Sequence, residues 1–199
     1  MRLYVSCLAL LLIAPLPDAA NAQAPEPAVT TNDTSAFTSP AARLDTLFTE
    51  LKHEGDPEKA KAISDSIRAE WRESGSATVN LLMQQADKAM AENKDTAAFD
   101  YLDEVIQLAP DYVEGWNQRA TLHYKEGSYR KSMSDINRVL AIEPRHFGAI
   151  AGMAMILTSY GHEELALEAW QRFLDLYPSE RRAQKALGDI AEKLAGSRT

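Results

Sequence analysis

The regular spacing of turn residues constrains the fold of this chain more than any other feature of its sequence. Pro110, Pro144 and Pro178 follow one another at intervals of 34 residues. Turn-forming residues lie midway between the prolines and have the same period: Asn93, Gly127 and Gly161. Between these turns, segments of about a dozen residues place apolar side chains three and four positions apart, which is the periodicity of amphipathic helices. The pattern therefore predicts an all-α fold built from repeated helix-turn-helix units.

A 34-residue period of helix, turn, helix and proline is the signature of tetratricopeptide repeats (TPRs). The residues of this chain resemble that family in detail. Trp116 stands at the large aromatic position of a first helix, and Ala120 replaces the small residue that lets the two helices of a repeat approach each other. The resemblance implies a TPR helix-turn-helix solenoid with three repeats: TPR1 at 79–112, TPR2 at 113–146 and TPR3 at 147–180.

The same frame contains departures from the family pattern. Leu is usual at the seventh position of a repeat, where this chain has Gln85, Arg119 and Met153. His123 stands where Tyr is common. We interpret it as an interior histidine that packs between helices, and not as a metal ligand.

Two segments flank the repeats and are predicted to be helical as well. Residues 41–78 read as a degenerate helical pair, with Asp56 as an N-cap and Pro57 at the first helical position. We expect this pair to cap the N-terminal end of the array. Residues 181–199 carry many charges and few large apolar side chains, which is typical of the solvating helix that closes such arrays.

The N-terminal 22 residues have the organisation of a secretory signal peptide. Arg2 gives a positive start, an apolar stretch runs to Leu16, and small residues at Ala20 and Ala22 predict cleavage after Ala22. The apolar stretch is shorter than the ~20 residues that cross a bilayer, so we expect no membrane span in the mature chain. Residues 23–40, rich in Ala, Pro, Thr and Ser, are predicted to be a disordered linker.

Localisation is implied by a second resemblance. The stretch 71–89, followed by the blocks Glu114-Gly115-Trp116-Asn117 and 143–148, resembles a group of small exported TPR proteins of alphaproteobacteria. That resemblance implies the periplasm of a Gram-negative bacterium and a role in the cell envelope. The single cysteine, Cys7, lies in the predicted signal peptide, and a mature chain without thiols suits an oxidising compartment.

Charge and motifs argue against several classes of function. The net charge of −8 repels nucleic acid, so we expect no nucleic-acid partner. The sequence has no nucleophile elbow, no phosphate-binding glycine loop and no pair of cysteines for zinc. His162-Glu163-Glu164 begins like a zinc-protease helix, but Ala166 stands where the second histidine belongs. We therefore predict no catalytic residues, no metal and no cofactor, and a chain that is not an enzyme.

The resemblance instead implies a binding surface on the concave side, lined by the first helix of each repeat. Carrying the family's second, fifth, ninth, twelfth and thirteenth positions onto this chain gives the candidate partner-binding residues Asn80, Met83, Asp87, Met90, Glu114, Asn117, Thr121, Tyr124, Lys125, Met155 and Thr158, together with Ala151 and Ser159. Methionines and a tyrosine suit an extended or helical peptide of another protein. The alternative is a self-associating structural protein with no separate peptide ligand.

Overall fold

The computed structural model describes residues 39–196. The predicted signal peptide and all but the last two residues of the predicted linker lie outside this range, as do residues 197–199. The described residues form nine α-helices and no strand. The helices are α1 Pro40–His53, α2 Pro57–Arg72, α3 Ala77–Ala91, α4 Asp95–Leu108, α5 Val113–Lys125, α6 Tyr129–Ile142, α7 Phe147–Ser159, α8 Glu163–Leu176 and α9 Arg181–Gly196. The prediction of an all-α TPR fold is confirmed.

The turns form where the sequence pattern places them. Asn93, Gly127 and Gly161 each lie between the two helices of one repeat. Their φ angles are positive, at 55°, 72° and 71°. Glycine adopts this left-handed region without steric cost, and Asn tolerates it better than most residues. Asp56 caps α2 by accepting hydrogen bonds from the backbone amides of Glu58 and Lys59. α1 begins at Pro40, the last residue of the predicted linker.

Successive repeats pack through fixed positions of their first helices. Gly115 of α5 lies so close to α4 that an added Cβ would be 2.7 Å from Val105 Cγ1. Leu122 and Ile156, one repeat apart, are 1% and 3% exposed. The corresponding residue of TPR1 is the exposed Lys88. TPR1 therefore presents a polar residue at the end of the array, where the later repeats bury an apolar one.

The α1–α2 pair packs against the later repeats and leaves Leu81, at the exposed end of TPR1, uncovered. Leu81 of TPR1, at the position of Gly115, is 55% exposed. α2 instead contacts α5, and α1 contacts α8. The buried residues of the pair, including Phe48 and Trp71, join one hydrophobic core with TPR2 and TPR3. TPR1 forms a separate core that includes Leu122 of TPR2.

α9 follows TPR3 and packs against α8. Ala183 and Ile190 are its buried residues. The remaining surface of the helix is largely exposed, as expected for a helix that closes the C-terminal end of a solenoid.

Candidate partner-binding groove

The first helices of the repeats form the inner face of the solenoid. α5 and α7 contact each other directly across the repeat boundary, which places them on the inner side of the curve. α2 lies across the N-terminal part of this face. The cavities that it borders include one of about 250 Å³ against α3, one of about 380 Å³ against α5 and the start of α7, and one of about 600 Å³ against α7 and α8.

Aromatic contacts anchor the α1–α2 pair at the beginning of α7. The Trp71 indole stacks on the His146 imidazole with ring centres 4.2 Å apart, and it lies 5.0 Å from the Phe147 ring. Phe48 of α1 lies 6.4 Å from the same Phe147 ring. Phe147 is 1% exposed, so the first residue of α7 is the hub of the contact. Such ring pairs stabilise a contact beyond the area that they bury.

A buried polar pair lies beneath this contact. His146 Nε2 is 3.1 Å from Glu114 Oε1, and the Asn117 side-chain amide donates to the other carboxylate oxygen at 2.9 Å. The backbone amide of Ala149 donates to His146 Nδ1 at 3.1 Å. Burial by itself raises the pKa of the Glu114 carboxyl, but the hydrogen bonds from His146 and Asn117 outweigh it, and the pKa lies below its usual value. Glu114 is therefore a buried, hydrogen-bonded carboxylate.

Five of the predicted partner-binding residues lie under α2 or hold its connection to α3. Glu114 and Asn117 line the cavity beside Trp71, and Met83 lines the cavity beside the end of α2. Asp87 forms an ion pair with Arg72 of α2 at 3.5 Å. Asn80 accepts a hydrogen bond from the Ser74 hydroxyl at 2.6 Å and donates to Glu73 at 2.9 Å, and so holds the link between α2 and α3.

The other predicted residues lie towards the C-terminal ends of α3, α5 and α7. Thr121, Met155 and Thr158 are exposed, and Met155 also borders the cavity of about 600 Å³ beside α2, together with Ala151. Lys125 donates to Asn93 at 3.1 Å and to Asp95 at 2.9 Å, which fastens TPR2 to the turn of TPR1. Two further residues are less available: Met90 packs partly against the core of TPR1, and Ser159 Oγ donates to the carbonyl of Met155.

A group of tyrosines marks the part of the inner face that α2 leaves open. Tyr124 of α5 lies 5.2 Å from Tyr129 of α6, and Tyr129 lies 5.8 Å from Tyr160, measured between ring centres. Tyr160 is 60% exposed and Met155 is 40% exposed. We call this surface, formed by Thr121, Tyr124, Tyr129, Met155 and Tyr160, the open groove.

Sequence reasoning predicts Tyr124 and Met155 as inner-face residues but does not identify the residues that dock α2. The repeat frame places His146 and Phe147 at the boundary between TPR2 and TPR3, and Trp71 in the N-terminal helical pair. One signal points to Trp71. Ile67 and Trp71 continue the buried stripe of α2 that starts at Ala60, and a helix outside the repeats that carries such a stripe is expected to pack against another surface. The sequence does not say which surface.

Arg119 departs from the family pattern because it pairs with acids of neighbouring helices. Its guanidinium donates twice to Asp135 of α6, at 2.8 Å each, and once to Asp103 of α4 at 2.6 Å. These carboxylates raise the pKa of Arg119. His123 lies beside this network, with its ring 4.6 Å from that of Phe99, and its pKa is lowered, mainly by burial. The group ties TPR1 to TPR2.

The described part of the chain shows no cluster of His, Cys, Asp or Glu that could hold a metal ion. None of its helices is long and apolar enough to cross a membrane.

Comparison with known proteins identifies the family. No family model matches the chain. A TPR repeat-containing protein of Rhizobium etli is 54% identical over 205 residues, and the alignment covers all of this chain and 98% of the relative. The chain belongs to the TPR family. TPR domains are typically scaffolds without catalytic activity, and the fold suggests a protein–protein interaction module.

Solved structures agree with this assignment at the level of the fold. The first TPR of Spaghetti (RPAP3), bound to the HSP90 peptide SRMEEVD, has a TM-score of 0.57 and 21% identity to this chain. The match covers 60% of this chain and 95% of the neighbour. The complex of the TPR2B domain of yeast Sti1 with pHsp70 has a TM-score of 0.54 and 16% identity, and covers 59% and 99%. The first neighbour was solved with an HSP90 peptide and the second in a complex with pHsp70.

Proposed function

We propose that this TPR protein is a protein–protein interaction module of the bacterial cell envelope, and that it holds a peptide or helix of another protein in the open groove. The observation that carries the proposal is the exposure of Tyr160, whose ring is linked to that of Tyr124 through Tyr129, together with the exposure of Met155 on α7. Exposed aromatic and thioether side chains on a concave surface offer contact area that adapts to an apolar partner. The HSP90 peptide bound by one structural neighbour and the pHsp70 complex of another add support.

We also propose that the protein acts in the periplasm. The support is the pattern of the first 22 residues, with small residues at Ala20 and Ala22, and the resemblance to exported TPR proteins. A mature chain that starts at Gln23 and appears in a periplasmic extract is the expected result. Recovery of the full-length chain in the cytosol would contradict it.

Site-specific photocrosslinking in intact cells tests the binding proposal. A photoreactive amino acid replaces Tyr124 in one strain and Met155 in another, and replaces the exposed Glu168 of α8 in the control strain. The two groove positions should yield an adduct with the same protein, identified by mass spectrometry, and Glu168 should not. An adduct from all three positions would contradict the groove. An adduct with a second copy of the chain would support the self-associating alternative instead.

A further inference from the structure

We propose that the α1–α2 pair is a removable cover on the inner face, and that an amphipathic partner helix with the surface chemistry of α2 binds where α2 now lies. The inference rests on the proposed function in one respect, that a partner binds the inner face. It adds a second binding surface beside the open groove. In this structure α2 of the same chain occupies that surface.

The array does not need the pair to seal its N-terminal end. The tenth position of TPR1 is the exposed Lys88, where TPR2 and TPR3 bury Leu122 and Ile156 against the preceding repeat. A terminal repeat with a polar outer face is what keeps a solenoid soluble. TPR1 supplies much of that face itself, and Leu81 at that end is already exposed while the pair is docked. Release of the pair therefore uncovers Phe147 on the inner face and not the N-terminal end of the array.

The contact between α2 and the inner face leaves cavities and, among the described residues, a buried donor without an acceptor. Cavities of about 250, 380 and 600 Å³ border α2 on the described part of the inner face. The Trp71 side chain is buried, yet its Nε1 has no hydrogen-bond partner among residues 39–196. A buried donor without an acceptor weakens the docked state relative to one in which water or a ligand accepts from it. The Trp71 ring therefore packs well against the inner face, but its N–H group makes no hydrogen bond to the described part of that face.

The polar contacts that fix the pair are exposed to solvent. Asp45 of α1 pairs with Arg145 at 2.7 Å, and Arg72 of α2 pairs with Asp87 at 3.5 Å. Asp45 is 69% exposed and Arg72 is 59% exposed, so salt screens both pairs. Exposed pairs orient a docked element without preventing its release.

The link between α2 and α3 is suited to act as a hinge. Residues 73–76 connect the two helices, and Gly75 has a φ of 73°. The Ser74 and Glu73 side chains bond to Asn80 at the start of α3, so the link is held by α3 and not by the groove. The pair can swing away about this link while the hydrogen bonds of the link stay with TPR1. Elements with few packed contacts open as units in this way.

The chemistry of α2 defines the partner. Trp71 stacks on His146, the Arg68 guanidinium lies 4.9 Å above the Phe147 ring, and Arg72 faces Asp87. An incoming helix needs an aromatic residue with arginines three positions before it and one position after it. The surface that it would meet carries the Asp87 and Glu114 carboxylates, which complements the charge of those arginines.

Binding of α2 in trans tests the inference. The protein is the mature chain, residues 23–199, and the probe is a labelled synthetic peptide of residues 57–76, followed by fluorescence anisotropy. The tethered α2 competes at a high effective concentration, so the wild-type chain should bind the peptide weakly. Trp71→Ala in the chain should tighten peptide binding at least about tenfold, because the docking of the chain's own α2 is weakened while the peptide keeps its Trp. A peptide with Trp71→Ala and Arg72→Glu should not bind.

A second variant keeps the test decisive if Trp71→Ala disturbs the fold. Asp45→Lys and Arg72→Glu together change only exposed side chains and place like charges opposite Arg145 and Asp87. This double variant should also bind the peptide more tightly than wild type. Hydrogen exchange of the wild-type chain should show α1 and α2 opening before α5 to α8.

The inference is overturned if α1 and α2 exchange no faster than α5 to α8, or if both variants bind the peptide no better than wild type. Equal binding of the altered peptide also overturns it. None of these measurements needs the natural partner. A failure to crosslink a partner at Tyr124 would therefore contradict the proposed function and leave this result unchanged.

Discussion

The imidazole of His146 lies flat against the indole of Trp71, with ring centres 4.2 Å apart and planes inclined by 22°. The same ring accepts from the Ala149 amide at Nδ1 and meets Glu114 at Nε2. A neutral imidazole with its proton on Nε2 satisfies both bonds. One side chain thus joins α2, α5 and the start of α7, and it is 2% exposed.

Replacing His146 should therefore destabilise the protein more than replacing another histidine at a helix start. His146→Ala removes the ring contact, the cap of α7 and a hydrogen bond to a buried carboxylate, and should lower the free energy of unfolding by about 2–4 kcal/mol. His162→Ala is the matched control, because His162 precedes α8 and makes no side-chain capping bond. It should change stability by less than about 0.5 kcal/mol in urea denaturation. Equal losses would contradict the role given to His146.

Glu114 should make stability depend on pH in the acidic range. Its folded-state pKa lies below its ordinary value of 4.5, so the folded state binds fewer protons than the unfolded state in that range. Its contribution is complete above the ordinary pKa and is lost as the pH falls through the folded pKa. The difference in unfolding free energy between wild type and Glu114→Gln should therefore shrink on acidification from neutral pH. Glu104→Gln, an exposed carboxylate on α4, should leave the wild-type pH dependence unchanged.

Gly115 and Gly188 offer a matched pair of substitutions within helices. At Gly115 a Cβ would lie 2.7 Å from Val105, so Gly115→Ala should force TPR1 and TPR2 apart and reduce stability by about 1–3 kcal/mol. A Cβ on Gly188 of α9 meets nothing within 4 Å. Because Ala favours helix over Gly, Gly188→Ala should stabilise the protein by ~0.5–1 kcal/mol. Melting temperatures that move in the same direction would contradict the repeat packing described above.

The repeats were predictable from the sequence because their contacts are local. The 34-residue period places each helix against the next, and buried positions such as Ala120, Ile136 and Phe173 follow from the TPR frame. Trp116, in contrast, is only half-buried. The guanidiniums of Arg119 and Arg138 lie over its ring, and its Nε1 donates to the Pro110 carbonyl.

The site was only partly predictable, because the docking of α1–α2 is long-range. Asp45 and Arg145 are 100 residues apart in sequence, and no periodicity links them. The family frame gives the direction of a side chain towards the inner face, as at Glu114 and Asn117. It does not indicate that another segment of the same chain covers that side chain.

The open groove gives the most direct functional prediction. Tyr124→Ala together with Met155→Ala should abolish capture of the partner that is crosslinked at these sites, while helical content and melting change little. Asn117 is left intact, because its amide donates to the buried Glu114 and its loss would disturb the fold. Truncating two binding hot spots costs ~2 kcal/mol each, or nearly a thousandfold in Kd. Lys131→Ala with Glu168→Ala, on the exposed surfaces of α6 and α8, should leave capture at the wild-type level. If the groove variant retains the partner and the control loses it, the binding surface lies on the second helices of the repeats.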